Sequence, residues 1–346
     1  MKVPGFPQRD WLPDQLKGWA VIWMILVHTV ELFLQPAHWD HPIAQWAFFM
    51  GAIPAAPVFM LLMGYYGLRR DKPVKFVIIR GLKLILWGLL LNAGLNGSLL
   101  IRWIGGHADV NILHYLFGID ILILAGLALI LSGIIDLLKL RWYAWWLLAL
   151  LPPLAAGLNL FPLDQDSTTS PIHWSLYLTT AFTGSATWSF FPVIPWISYV
   201  FAGIGISRLF QLWPDFQRKK RYLFYVSIPS ALIFLAGLVP AWKVTQNLQQ
   251  YYHHGLLFFL WALSMILLLV ILMLASVKPQ TGNAGRWIRF LGARVTSSYV
   301  IQWLIIGNLG SWLYQSLSIP QTLLLFVVIL LVTIYLSNVY YKIRSR

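Results

Sequence analysis

The sequence predicts an all-α protein: a polytopic transmembrane helical bundle of about ten spans, with the N- and C-termini both on the cytoplasmic side. Three observations predict it. Hydrophobic residues make up 59% of the chain and charged residues 10%, with a mean hydropathy of +0.71. Soluble domains average about 45–50% apolar and about 25% charged, so a soluble fold has no interior large enough for the excess. Apolar runs long enough to cross the roughly 30 Å hydrocarbon core recur along the whole chain. Lys and Arg fall in short clusters between those runs, alternately abundant and scarce.

Segmenting on about 20 mostly apolar residues per crossing gives spans over 16–34, 46–68, 76–95, 111–138 and 142–161, and then, after a long connection, over 192–210, 222–242, 255–276, 290–317 and 321–341. One set of connections holds Lys2 and Arg9; Arg69, Arg70, Lys72 and Lys75; Lys139 and Arg141; Arg218 to Arg221; Lys278, Arg286 and Arg289; and Lys342, Arg344 and Arg346. The other set holds little beyond Arg102 and Lys243, with Asp40, Asp109, Asp164 and Asp166. Positive charge near span ends stays in the cytoplasm, and the alternation fits every proposed crossing. The net charge of +14 is thereby a loop signature. A nucleic-acid partner, which needs a gathered basic face, is not expected.

The chain has no cysteine, which excludes disulfides, thiolate metal sites and Cys nucleophiles. The first apolar run lacks a small-residue cleavage site and reads as a retained span. With no internal repeat, low-complexity tract or appended soluble region, residues 1–346 read as a single transmembrane domain. The Ser/Thr- and aromatic-rich connection over 163–191 can cover a site or form an interfacial belt.

Polar groups inside spans are costly and face the bundle interior. Asp14, Lys17, Val21, Met24, His28, Glu31 and Gln35 recur at steps of three and four, which predicts a polar stripe along one face of the first span. Lys17 and His28 are nearly in phase and about 16 Å apart along the axis. Glu31, one turn beyond His28, can fix the imidazole tautomer and so make a general base; a self-satisfied buried pair reads equally well. Asp120, with His114 on the fourth span, can couple to the first span or simply join helices. His38 and His41 in AHWDH can contact an acceptor; a metal there has no accompanying ligand cluster and none is expected. His253 and His254 read as interfacial, and Asn92, Asn96, Gln302 and Asn308 as cavity-lining or bridging groups. Arg80 and Lys83 at the head of the third span, with Arg69 and Arg70 before it, can hold phosphates of an anionic co-substrate or snorkel to headgroups. No phosphate loop, GxSxG elbow or HExxH run is present.

On these residues the chain is similar to a known group. DQLKGWAVIWMILVHTVELF resembles the opening of the heparan-α-glucosaminide N-acetyltransferase-like membrane proteins, and its Lys17–His28 spacing resembles the family 3 membrane acyltransferases. APVFMLLMGYYGLRR, FFPVIPWISYVFAGIGISR with its Trp196, and LGARVTSSYVIQW resemble further motifs of the group, in the expected order. The sequence departs in carrying Lys17, without the bidentate fork of Arg, and Gln302 where some relatives carry His. His38 or His41 would be the nearest match to the His of the lysosomal branch.

The resemblance implies acyl transfer from cytoplasmic acyl-CoA, usually acetyl-CoA, to a hydroxyl or amine of a glycan or other acceptor at the outer face. His28 and Glu31 would be catalytic, Lys17, Arg80, Lys83, Arg69 and Arg70 would hold the co-substrate, and His38, His41, Asp120 and Trp196 would line the acceptor side. Membrane lipid is the surrounding partner, a homo-oligomer is left open, and the expected location is a bacterial inner membrane. The rival reading is a small-molecule transporter or flippase using the same stripe.

Overall fold

A computed structural model describes residues 11–68, 73–162, 172–186, 188–213, 220–275 and 283–344. It is 82% helix. The helices in chain order are α1 (Trp11–Phe33), α2 (Pro42–Ala52), α3 (Ala56–Gly67), α4 (Val74–Leu95), α5 (Gly97–Ile104), α6 (Ile112–Leu116), α7 (Ile121–Asp136), α8 (Trp142–Gly157), α9 (Tyr177–Thr183), α10 (Val193–Leu212), α11 (Lys220–Thr245), α12 (Leu248–Tyr252), α13 (Leu256–Ala275), α14 (Asn283–Ala293), α15 (Val295–Leu313) and α16 (Ile319–Arg344). Among the described residues strand pairing is confined to one parallel bridge, Leu34 with Leu317, which ties the end of α1 to the α15–α16 turn. In lipid every backbone N–H and C=O needs an internal partner, and helices supply it segment by segment.

Six helices among the described residues are long and apolar enough to cross a membrane: α1, the joined Pro42–Gly67 unit of α2 and α3, α10, Tyr225–Thr245 of α11, α13 and α16. The chain is an integral membrane protein by this measure. Helix α4 has 22 residues but carries Lys75, Arg80 and Lys83, and α15 has 19. Helices α7 and α8 have 16 each, and α8 contains Pro152 and Pro153. Burial sorts the helices. Within the apolar windows 78% of α2–α3 and 72% of α10 are buried, against 11% of α11 and 22% of α16. The first pair is therefore central, and the second presents apolar side chains outward.

Close crossings depend on glycine. Gly64 of α3 lies against the Val200 backbone and Gly203 of α10 against the Leu61 backbone, where any Cβ would collide. Gly18 of α1 meets the Ile288 carbonyl and Gly292 meets that of Asp14, which seats α14 across the start of α1. Small residues of this kind let helices approach where lipid removes the hydrophobic drive for association.

Three predicted spans are interrupted. The second breaks at 53–55 around Pro54, because proline removes a helical donor. The fourth, expected as one helix over 111–138, is two: Asn111 caps α6 and Asp120 caps α7, each accepting from a backbone N–H ahead of it. The ninth divides at Arg294 into α14 and α15.

The far ends of α7 and α10 are locked by Arg208, 4% exposed, whose Nη2 donates to both Asp136 carboxylate oxygens at 2.8 and 3.1 Å. Removing one partner of such a pair strands a buried charge and typically costs about 3–5 kcal/mol. Asp136→Ala is expected to lower the melting temperature in detergent clearly more than the double change Asp136→Ala with Arg208→Met. Equal losses in the two would mean the pair carries no coupling.

Candidate active site

The polar groups of α1 meet those of α7 and α15 around one cavity of about 50 Å³, lined by Met24, Val27, His28 and Glu31 of α1, Asp120 and Ile121 at the α7 start, Tyr299 and Trp303 of α15, and Tyr251 and Tyr252 of α12. A space of that size takes a few water molecules or a small acyl group. Phe48, Gly51, Ala52, Ala55, Ala56, Phe59 and Phe191 complete the wall, together with Thr245 and Leu248.

His28 and Glu31 are one helical turn apart, and Nδ1 lies 3.3 Å from Glu31 Oε2, with side-chain exposures of 14% and 22%. An ionised carboxylate only accepts, so in the neutral imidazole the proton sits on Nδ1 and Nε2 keeps its lone pair. The imidazole leans on Trp303, ring centroids 4.3 Å apart. One residue thus receives its tautomer from one neighbour and its orientation from another.

Asp120 lines the same cavity as His28. Its Oδ1 accepts from the Ile121 N–H at 2.6 Å, and its Oδ2 accepts from the Tyr299 hydroxyl at 2.7 Å. The break between α6 and α7 has a purpose here: it brings a helix N-terminus, where a carboxylate is favoured, to the cavity wall. The Trp303 indole N–H approaches the same Tyr299 hydroxyl without meeting strict hydrogen-bond geometry.

Behind the cavity an aromatic layer fixes the tyrosines. Tyr251 donates to Ala52 O at 2.6 Å, and Trp196, fully buried, donates to Tyr252 O at 2.9 Å. His254 Nδ1 sits 2.8 Å from Tyr251 O and its Nε2 3.0 Å from the Tyr199 hydroxyl. A carbonyl only accepts, so Nδ1–H donates to Tyr251 and Tyr199 donates to Nε2. His254 is a neutral lock on the α12 backbone.

Of the residues singled out from sequence, the structure brings together His28, Glu31 and Asp120. Trp196 lies one layer behind them. Lys17 is elsewhere, paired with Asp14 at 2.8 Å near the start of α1. Val21, between Lys17 and the cavity, is fully buried and does not line it, so Met24 closes the cavity on that side. The polar stripe is therefore interrupted by packing. Arg80 and Lys83 lie on the exposed face of α4, and Arg69 and Arg70 fall outside the described residues. His38 ends a short turn, and His41 caps α2 by accepting from the Ile43 N–H at 3.3 Å; neither lines the cavity. Asn92 bonds to the Gly118 carbonyl at 2.9 Å, holding the α6–α7 break, while Asn308 bridges to Ser98 and Gly94. Gln302 is fully buried and is not part of the cavity lining. Among the described residues no cluster of three or more His, Asp or Glu side chains forms a metal-ligand set.

Tyr299, Tyr251, Tyr252 and Trp303 were given no role from sequence. Tyr299 and Trp303 are four residues apart on one helix face, which is a visible pairing but one shared by ordinary packing. For Asp120 the cap signal, an Asp directly before an apolar run, was present in the sequence.

The fold and site define a membrane-embedded helical protein whose bundle encloses a histidine, two carboxylates and three tyrosines around a small cavity. The family model for the heparan-α-glucosaminide N-acetyltransferase catalytic region matches residues 9–236, and the chain belongs to that family. That range holds His28, Glu31, Asp120 and Trp196; α12 and α15, with Tyr251, Tyr252, Tyr299 and Trp303, lie beyond it. No curated protein matches the chain.

Proposed function

We propose that this protein is a ten-span, N-in/C-in membrane acetyltransferase of the inner membrane that moves the acetyl group of cytoplasmic acetyl-CoA to an acceptor, a glycan hydroxyl or amine, at the outer face. The observation that carries the reading is the convergence of His28, Glu31, Asp120 and Tyr299 on one cavity sized for an acyl group. Family membership supports acetyl transfer, and the basic connections support the orientation. The reading assigns the four crossings beyond the six that satisfy length and apolarity together to helices α4, α7, α8 and α15.

In the proposed reaction the acceptor's O–H or N–H lies against His28 Nε2. Its heteroatom attacks the thioester carbonyl as Nε2 takes the proton. The C–S bond then breaks, and the departing thiolate receives that proton from the imidazolium. Glu31 holds Nδ1–H throughout, and the Asp120 carboxylate stabilises the transient cation. Lys17, about one pantetheine length from His28, exchanges its Asp14 partner for the anionic end of acetyl-CoA. Met24, with its adaptable thioether chain, is the side chain the acyl arm must displace.

Purified protein in lipid nanodiscs, given labelled acetyl-CoA and a glycan extract, is expected to release CoA and label the acceptor; absence of both removes the reading. Lys17→Met is expected to raise the acetyl-CoA KM by about fivefold to tenfold, a loss of the order of one charge-assisted contact, and to leave kcat within about twofold. An unchanged KM removes Lys17 from co-substrate binding.

The helix breaks at Pro54 and Asp120, both beside the cavity, also suit a transporter, whose sites lie at discontinuous helices. Solute flux in proteoliposomes lacking acetyl-CoA would favour that reading.

A further inference from the structure

A second, more open depression adjoins the cavity, lined by Trp39, Phe48, Gln246, Asn247, Leu248 and Gln249, with a volume of about 260 Å³. Phe48 and Leu248 line both spaces, so they form the partition between them. We infer that this vestibule is the acceptor subsite, and that it takes an uncharged, polyhydroxylated body, a neutral sugar unit carrying no sulfate, phosphate or carboxylate. The inference rests on the acetyltransferase reading for the direction of entry and deepens it by naming the acceptor class.

The lining chemistry carries the argument. Trp39 supplies an aromatic surface, positioned by its indole N–H to Leu34 O at 3.3 Å and by edge packing on Phe48 with centroids 5.7 Å apart. Such a surface matches the apolar C–H face of a pyranose. Three carboxamides surround it: Asn247 and Gln249 offer both a donor and an acceptor to hydroxyl groups, and Gln246, whose Nε2 is engaged elsewhere, offers its Oε1 as an acceptor. Gln246 is fixed by its own bonds to Gln45 O and Thr245 Oγ1, and Asn247 accepts from the Gln250 N–H, so the rim is ordered before any acceptor arrives. No side chain of the lining is ionisable. The charges that flank it in sequence, Asp40 and Lys243, are opposite in sign, and neither lines it. An anionic sugar would lose hydration there and gain no counter-charge. The amide-bearing segment lies beyond the family-matched range, so family membership does not determine the acceptor body.

The test is equilibrium binding of radiolabelled neutral disaccharides, based on glucose, galactose and N-acetylglucosamine, and of their sulfated and uronic-acid counterparts, to the full chain in nanodiscs. At least one neutral disaccharide is expected to bind more tightly than its anionic counterparts. Gln249→Ala, a change at an exposed side chain, is expected to weaken that binding by about threefold to tenfold, the value of one hydrogen bond, and Trp39→Leu by more. Tighter binding of the anionic sugars, no binding of any neutral one, or equal affinity in wild type and both variants would each overturn the inference. Sugar binding with these dependences but no acetyl transfer to the bound sugar would instead defeat the acetyltransferase reading and leave the vestibule standing.

Discussion

Replacing His28 by Gln or Ala is expected to lower the rate of acetyl transfer by about 10²–10⁴-fold, the usual worth of a positioned general base. The acetyl-CoA KM should move far less, because the imidazole acts on the acceptor proton and not on the co-substrate's anionic end. Gln is the stricter test of the two. It keeps a polar side chain that can bond Glu31 and pack on Trp303, so folding is preserved while the base is removed. Retention of more than about a tenth of the wild-type kcat in His28→Gln would take the residue out of the chemistry. Glu31→Gln should be milder: the amide still contacts Nδ1 but neither fixes its proton nor balances the imidazolium.

The second large effect is expected at Asp120. Asp120→Asn leaves a side-chain oxygen to cap α7, since Asn caps as well as Asp, yet removes the carboxylate from the cavity that His28 lines. Loss of that preorganised charge is expected to reduce kcat by about 10²-fold with the melting temperature nearly unchanged. Tyr299→Phe removes the donor to Oδ2 while leaving the charge, and should cost less. A purely structural Asp120 makes a different prediction, with stability falling in Asp120→Ala and kcat holding in Asp120→Asn. Parallel measurement of melting temperature and turnover separates the two.

Much of this arrangement was legible in the residues. The His28–Glu31 pairing follows from a three-residue step on a helix whose length is set by bilayer thickness, and both side chains reach the cavity. Asp120 was visible as a costly polar group but was placed within a continuous helix. Hydropathy registers apolar content and misses a turn of four residues between two apolar helices. Tyr299, Tyr251 and Tyr252 were illegible for another reason. Tyrosine is common in membrane segments as packing and as an interfacial anchor, and only the tertiary placement of α15 and α12 around the cavity makes these three wall residues. The closure at Val21 and Met24 was equally invisible, because a helical stripe gives the face of a side chain and not whether a neighbouring helix covers it. Lys17 shows the same limit: its register with His28 is as expected, and Asp14 is its partner.

The central claim is that the thioester meets its acceptor at His28. Cryo-electron microscopy of His28→Ala protein in nanodiscs saturated with acetyl-CoA tests it most directly. The account predicts the thioester carbonyl in the cavity among Glu31, Asp120 and Tyr299, within about 3–4 Å of the site vacated by the imidazole, with the anionic end toward Lys17. Acetyl-CoA bound with its thioester outside that cavity, for example along the exposed Arg80–Lys83 face of α4, would contradict it.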